Sequence, residues 1–119
     1  MKYLFYLFSL FLLHNSCSAQ DCKAIPNKFI SYEQAKQIIS NATFPLSDKV
    51  NTSKSSWVRA ASYYSCDGKK GFFIIKTDSK EYIHQDMPLN IWLSFKSANS
   101  FGRFYNANIK HKYQLVLRQ

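Results

Sequence analysis

Acidic side chains are scarce in this 119-residue chain. Seven Asp and Glu stand against sixteen Lys and Arg, a formal charge of +9. Three glycines and three prolines are too few for a collagen-like or linker-like chain. The three cysteines form no CxxC pair and the three histidines have no paired ligand spacing, which excludes the usual zinc patterns. No Gly-rich phosphate loop, nucleophile elbow or zinc-protease motif occurs, and no cofactor is implied. Internal repeats and low-complexity tracts are also missing. What is plentiful is apolar: 46% of residues, with 17% Phe, Trp and Tyr, enough to argue against wholesale disorder. The length suits one domain of ordinary size.

Residues 1–19 read as a secretory signal peptide. Lys2 supplies the positive start, and Tyr3 to Leu13 is an eleven-residue apolar run broken only by Ser9. That run falls short of the roughly 20 residues that span a bilayer. Cys17-Ser18-Ala19 offers small residues for a cut after Ala19. A competing cut before Cys17 would make a lipoprotein anchored through Cys17. Loss of Lys2 with the leader leaves 15 basic against 7 acidic residues, +8 over 100 residues. No later segment approaches the length of a membrane span, so the expected location is extracytoplasmic, secreted or periplasmic. Cys22 and Cys66 remain as an even pair, which in an exported chain reads as a disulfide closing a 44-residue separation. Two free buried thiols are the rival arrangement.

The remaining chain divides into an N-terminal arm, helix and loop (20–54) and a domain (55–119). Ser31-Tyr32-Glu33-Gln34 has capping-box form, and Tyr32, Ala35, Ile38 and Ile39 make one apolar face, predicting a helix over about 31–40. Residues 46–56 are polar and read as a loop. Trp57 to Tyr64, Phe72 to Thr77 and Glu81 to Gln85 read as strands, joined by Asp67-Gly68 and Asp78-Ser79-Lys80 turns. After Pro88, Ile91, Trp92, Phe95 and Ala98 form a helix face over about 88–98. Asn99 to Gly102 reads as a turn, with Gly102 at positive φ. Asn106 could cap one helical turn around Ile109, and Tyr113, Leu115 and Leu117 alternate like a last strand. The expected fold is therefore α+β. A three-stranded antiparallel meander is covered by the 88–98 helix, with the 31–40 helix and a short C-terminal arm beside it.

From Ser55 to Tyr113 the chain resembles the KTSC domain family. The likeness rests on Ser55-Ser56, Tyr63-Tyr64, Lys80-Glu81-Tyr82 and Met87-Pro88. It continues through Ala98-Asn99-Ser100-Phe101-Gly102, Phe104-Tyr105-Asn106, Ile109-Lys110 and Tyr113. Met87 departs from the family's Val before proline, and the leader and N-terminal helix are additions. The resemblance implies a short module that stands alone or is attached to larger proteins, including some lysyl-tRNA synthetases. It implies no established catalytic site, and a role in binding nucleic acid or protein. The leader, bacterial in style, argues against a cytoplasmic tRNA role. It also argues against glycosylation at the Asn41 and Asn51 sequons.

Two constellations carry chemistry. Arg103, Lys110, His111 and Lys112 lie among Phe104, Tyr105 and Tyr113, a mixture that suits an anionic partner because cations neutralise phosphates and aromatic faces stack. The alternative is ordinary: the aromatics pack and the lysines solvate. Arg103, Tyr105, Asn106, Lys110 and Lys112 are the candidate binding residues, for an anionic polymer or protein of the cell envelope. The second constellation is His84 with His111, the acid and base a small basic ribonuclease-like phosphodiester hydrolase would need, with Asp86 orienting His84. Two unrelated surface histidines are the plainer reading. The primary expectation is an exported, non-catalytic interaction module.

Overall fold

The computed structural model describes residues 20–118. The signal peptide at 1–19 and the lipidation alternative at Cys17 lie outside the described residues. Among the described residues, no helix is long and apolar enough to cross a membrane.

The chain forms β1 (Gln20–Asp21), a 3₁₀ turn (Cys22–Ala24), α1 (Tyr32–Ser40), β2 (Ala42–Thr43) and β3 (Leu46–Val50). It continues with β4 (Val58–Ser65), β5 (Lys70–Thr77), β6 (Glu81–Pro88), α2 (Leu89–Lys96) and α3 (Phe101–Asn108). The expected α+β class holds. The sheet is four-stranded, in the order β3-β4-β5-β6 and antiparallel throughout, not the three-stranded meander expected. The added strand is Leu46–Val50, inside the stretch read as a loop. Its sequence, Leu-Ser-Asp-Lys-Val, has two apolar residues, so the alternation is faint. Tertiary contacts hold it: Asp48 accepts from the Trp92 indole N–H at 2.9 Å and the Lys96 ammonium at 2.7 Å, both on α2.

The central hairpin forms where Asp67-Gly68 predicted it. Gly68 sits at φ 75°, and the Asp67 carboxylate accepts from the Lys69 and Lys70 backbone N–H groups. Those bonds, Lys69's first, hold the Asp67 carboxyl below the usual carboxylate range. Two irregularities set which side chains face inward. A register shift between Val58 and Ala60 brings Val58, Ala61, Tyr63 and Ser65 to the buried face, so the simple alternation expected from Trp57 onward breaks at once. On β6, Gln85 and Asp86 together oppose Phe72, with Asp86 at φ 58°. This bulge restores Met87 to the interior and carries the strand to Pro88, past the expected end at Gln85.

Both sheet faces are covered. Tyr63, Phe73, Ile75 and Met87 pack under Trp92, Phe95, Phe101 and Tyr105 of α2 and α3. The other face packs Ile83, Phe72, Ile74 and Tyr64 against Phe29 and the Ala35 and Ile39 side of α1. Each large side chain sealed in this way contributes on the order of 1.5–3 kcal/mol. α1 starts as predicted: the Ser31 hydroxyl accepts from Gln34 N–H, and the Gln34 side chain accepts from Ile30 N–H.

The helical cover differs from the single 88–98 helix. α2 stops at Lys96, and α3 runs over residues read as a turn and a mixed tail. Ser100 caps α3 by accepting from Arg103 N–H at 3.2 Å. Gly102 is helical, without the positive φ expected. Its reason for being glycine is steric: a Cβ there would lie 2.5 Å from the Trp57 ring. The last segment makes isolated bridges, not a strand. Gln114 pairs with His84, and Leu117 pairs with Phe29. Cys22 and Cys66 are joined in a disulfide that ties the 3₁₀ turn to the end of β4, and β1 pairs with β2 in parallel beside it.

Candidate functional site

The outer edge of β6 is only half covered. From His84 on, the C-terminal segment lies against it, with Gln85 N–H donating to the Tyr113 carbonyl at 3.0 Å. Before His84, the edge opens into a cleft of about 430 Å³ bounded by Tyr32 of α1, Tyr82 of β6, and Tyr105, Asn106, Lys110 and His111 at the end of α3.

His84 sits at the back of this cleft, 4% exposed. Its Nδ1 lies 3.1 Å from the Tyr113 carbonyl and its Nε2 lies 2.8 Å from the Tyr105 hydroxyl. A carbonyl only accepts, so Nδ1 carries the proton and Nε2 accepts from Tyr105. Burial pushes the His84 pKa down, against the opposing pull of the Tyr113 carbonyl. Burial likewise pushes the Tyr105 phenol up to about 12. The pair is thus a neutral imidazole and a protonated phenol bonded to each other. This pair offers the opening neither a free base nor an activated oxygen.

Both candidate histidines line the same cleft. Asp86 does not orient His84; that place is taken by the Tyr113 carbonyl, and Asp86 is exposed with the Lys70 ammonium 3.8 Å away. Of the candidate binding residues, Tyr105, Asn106 and Lys110 line the cleft, whereas Arg103 and Lys112 are exposed and outside its wall. Tyr105 is 3% exposed, so its ring is largely core and its hydroxyl is spent on His84.

Sequence reasoning missed Tyr32, Trp57, Tyr82 and Gln114, which also line the opening. No local signal marks them, since they come from separate segments. Tyr32 stands out. Its hydroxyl is buried with no protein hydrogen-bond partner, and it alone among the described side chains has that condition. Burial, with the nearby Glu81 and Glu33 charges adding, pushes its phenol far above the usual range, so it remains an O–H donor. Elsewhere, Asp21, Cys22 and Cys66 bring three ligand-type atoms within 4.8 Å. Both sulfurs are tied in the disulfide and offer no thiolate to a metal.

Residues 71–113 match the family model of the KTSC domain. The match runs from β5 to Tyr113, so it takes in β6, α2, α3 and most of the cleft wall, while Tyr32, Trp57 and Gln114 lie outside it. No curated protein and no solved structure matches the chain.

Proposed function

We propose that this KTSC-domain chain is an exported, non-catalytic interaction module that binds an anionic partner through the end of α3 and the cleft beside β6. One observation carries the reading. The cleft gathers Lys110 and His111 with tyrosine faces and no carboxylate in its wall, while both nitrogens of its buried histidine are already bonded internally. Arg103 and Lys112 are exposed and lie close in sequence to the cleft residues Asn106, Lys110 and His111. A disulfide and a leader-like start favour an extracytoplasmic setting, where envelope polymers are the available anions.

The ribonuclease-like alternative has one point in its favour, the shared cleft of His84 and His111. The chemistry weighs against it. A general base needs a free lone pair within reach of its proton, and the one on His84 accepts from Tyr105.

The test uses the processed, disulfide-bonded chain with polyphosphate of defined length, titrated across a salt series. Affinity should fall linearly in log–log form as salt rises. Changing Arg103, Lys110 and Lys112 together to Gln should weaken binding and reduce the salt slope by about 2–3. Equal binding by the triple variant removes the proposal. Cleavage of RNA, lost in His84→Gln or His111→Gln, would establish the alternative instead.

A further inference from the structure

The cleft is too small and too specifically lined to serve only as part of a positive surface. Its 430 Å³ lies at the lower end of the roughly 300–1,000 Å³ of small-molecule sites. Three features describe a guest. Tyr82 is 39% exposed at the mouth, with its ring 6.5 Å from that of Tyr105, so one aromatic face is free for stacking. Lys110 and His111 flank the opening, and Lys110 is in ion-pair contact with no carboxylate among the described residues. Of the two carboxylates that act on Tyr32, Glu81 is paired with the Lys36 ammonium at 2.7 Å, and Glu33 is exposed on α1 and outside the cleft wall. The third feature is the Tyr32 hydroxyl, a donor with no protein acceptor that is covered in the free protein and meets a guest through a small shift of its side chain. A buried donor without a partner is costly, so an acceptor brought into the cleft gains what the free protein lacks.

Resting on the binding reading above, we infer that this cleft holds a small ligand made of one aromatic ring bearing a carboxylate. The ring lies against Tyr82, the carboxylate meets Lys110 and His111, and an acceptor oxygen answers Tyr32. The same chemistry occurs in a free aryl carboxylate and in the C-terminal aromatic residue of a peptide.

The experiment follows backbone amide shifts of the labelled, processed chain during titration with phenylacetate, its neutral isostere phenylacetamide, phenethylammonium, and the peptide Gly-Gly-Phe. Phenylacetate should move the amides of Asn106, Lys110 and Gln114 and bind roughly 10-fold more tightly than phenylacetamide, as a charge-assisted contact requires. Phenethylammonium should bind most weakly. Lys110→Met should erase the preference for the carboxylate. Tyr32→Phe should weaken phenylacetate binding roughly 3- to 10-fold, the range for one hydrogen bond, without lowering Tm. A structural role for Tyr32 alone would leave that affinity unchanged. Tighter binding by Gly-Gly-Phe than by phenylacetate identifies a chain end as the source; the reverse order identifies a free ligand. Equal affinity for the three small probes overturns the inference, as does an absence of shifts at those amides. If polyphosphate still binds in that case, only the ligand class falls; if polyphosphate binding is also lost, the binding-module reading falls with it.

Discussion

Gly102→Ala offers a sharp test of the packing between Trp57 and α3, because two effects of opposite sign compete. Gly102 is helical and has no positive φ, so a methyl group there should stabilise the helix by up to about 1 kcal/mol through backbone entropy alone. The Trp57 ring opposes this. A Cβ at position 102 would lie 2.5–2.6 Å from three atoms of the indole, well inside contact distance. Rigid and half-buried, the indole can yield only by moving as a unit. Overpacking of this kind costs roughly 1–3 kcal/mol. The net expectation is a loss of about 0–2 kcal/mol, the steric cost less the full helical gain. For a domain of this size, each kcal/mol corresponds to a Tm change of about 4–8 °C. Thermal unfolding of four proteins closes a double-mutant cycle: the wild type, Gly102→Ala, Trp57→Ala, and both changes together. With Trp57 truncated, Gly102→Ala should become neutral or stabilising, giving a coupling of at least about 1 kcal/mol. A higher Tm for Gly102→Ala in the wild-type background would refute the argument. So would a coupling below about 0.5 kcal/mol.

Other measurements probe the remaining supports. Replacing Cys22 and Cys66 together by Ala releases a loop of 44 residues' separation and should cost up to about 4 kcal/mol in urea unfolding. A loss under about 1 kcal/mol would mean that β1–β2 pairing and the α1 core hold the arm without the bridge. Stability should also fall as pH drops below the ordinary histidine value of 6.5. His84 has its folded pKa lowered by burial, so the unfolded chain binds the proton first. His84→Gln should flatten that part of the pH profile, above the range where carboxylates titrate; an unchanged slope would contradict the neutral His84 described here. Asp48→Ala should destabilise by about 1–3 kcal/mol, because it strands the Trp92 N–H. Its effect should shrink when Trp92 is changed to Phe in the same background.

The site was less legible than the fold. Lys110 and His111 were visible as a basic pair among aromatics, and Tyr105 and Asn106 lie with them because α3 continues where a turn was expected. Gly102 hid that helix, since glycine is a poor helix residue and only its contact with Trp57 explains it. Tyr32 and Tyr82 could not be assigned to the cleft in advance. One belongs to a helix on the far face of the sheet, the other to a strand edge, and neither has a neighbour in sequence that marks it.

The sequence alone determined what depends on near neighbours. It specified the capped α1, the Asp-Gly hairpin, three of the four strands of the main sheet and the apolar face of α2, and it marked the two cysteines that follow the leader-like segment as a candidate pair. Each follows from turn chemistry, periodicity or cysteine count within a short window or a simple tally. Tertiary structure alone decided the fourth strand, the two bulges and the state of His84. β3 depends on Asp48 reaching Trp92 and Lys96 across 44 and 48 residues. His84 is neutral because a carbonyl 29 residues away and a phenol 21 residues away meet its two nitrogens in a buried setting. These groups are brought together by the packing of the helices and the C-terminal segment against the sheet, and no local pattern encodes that proximity.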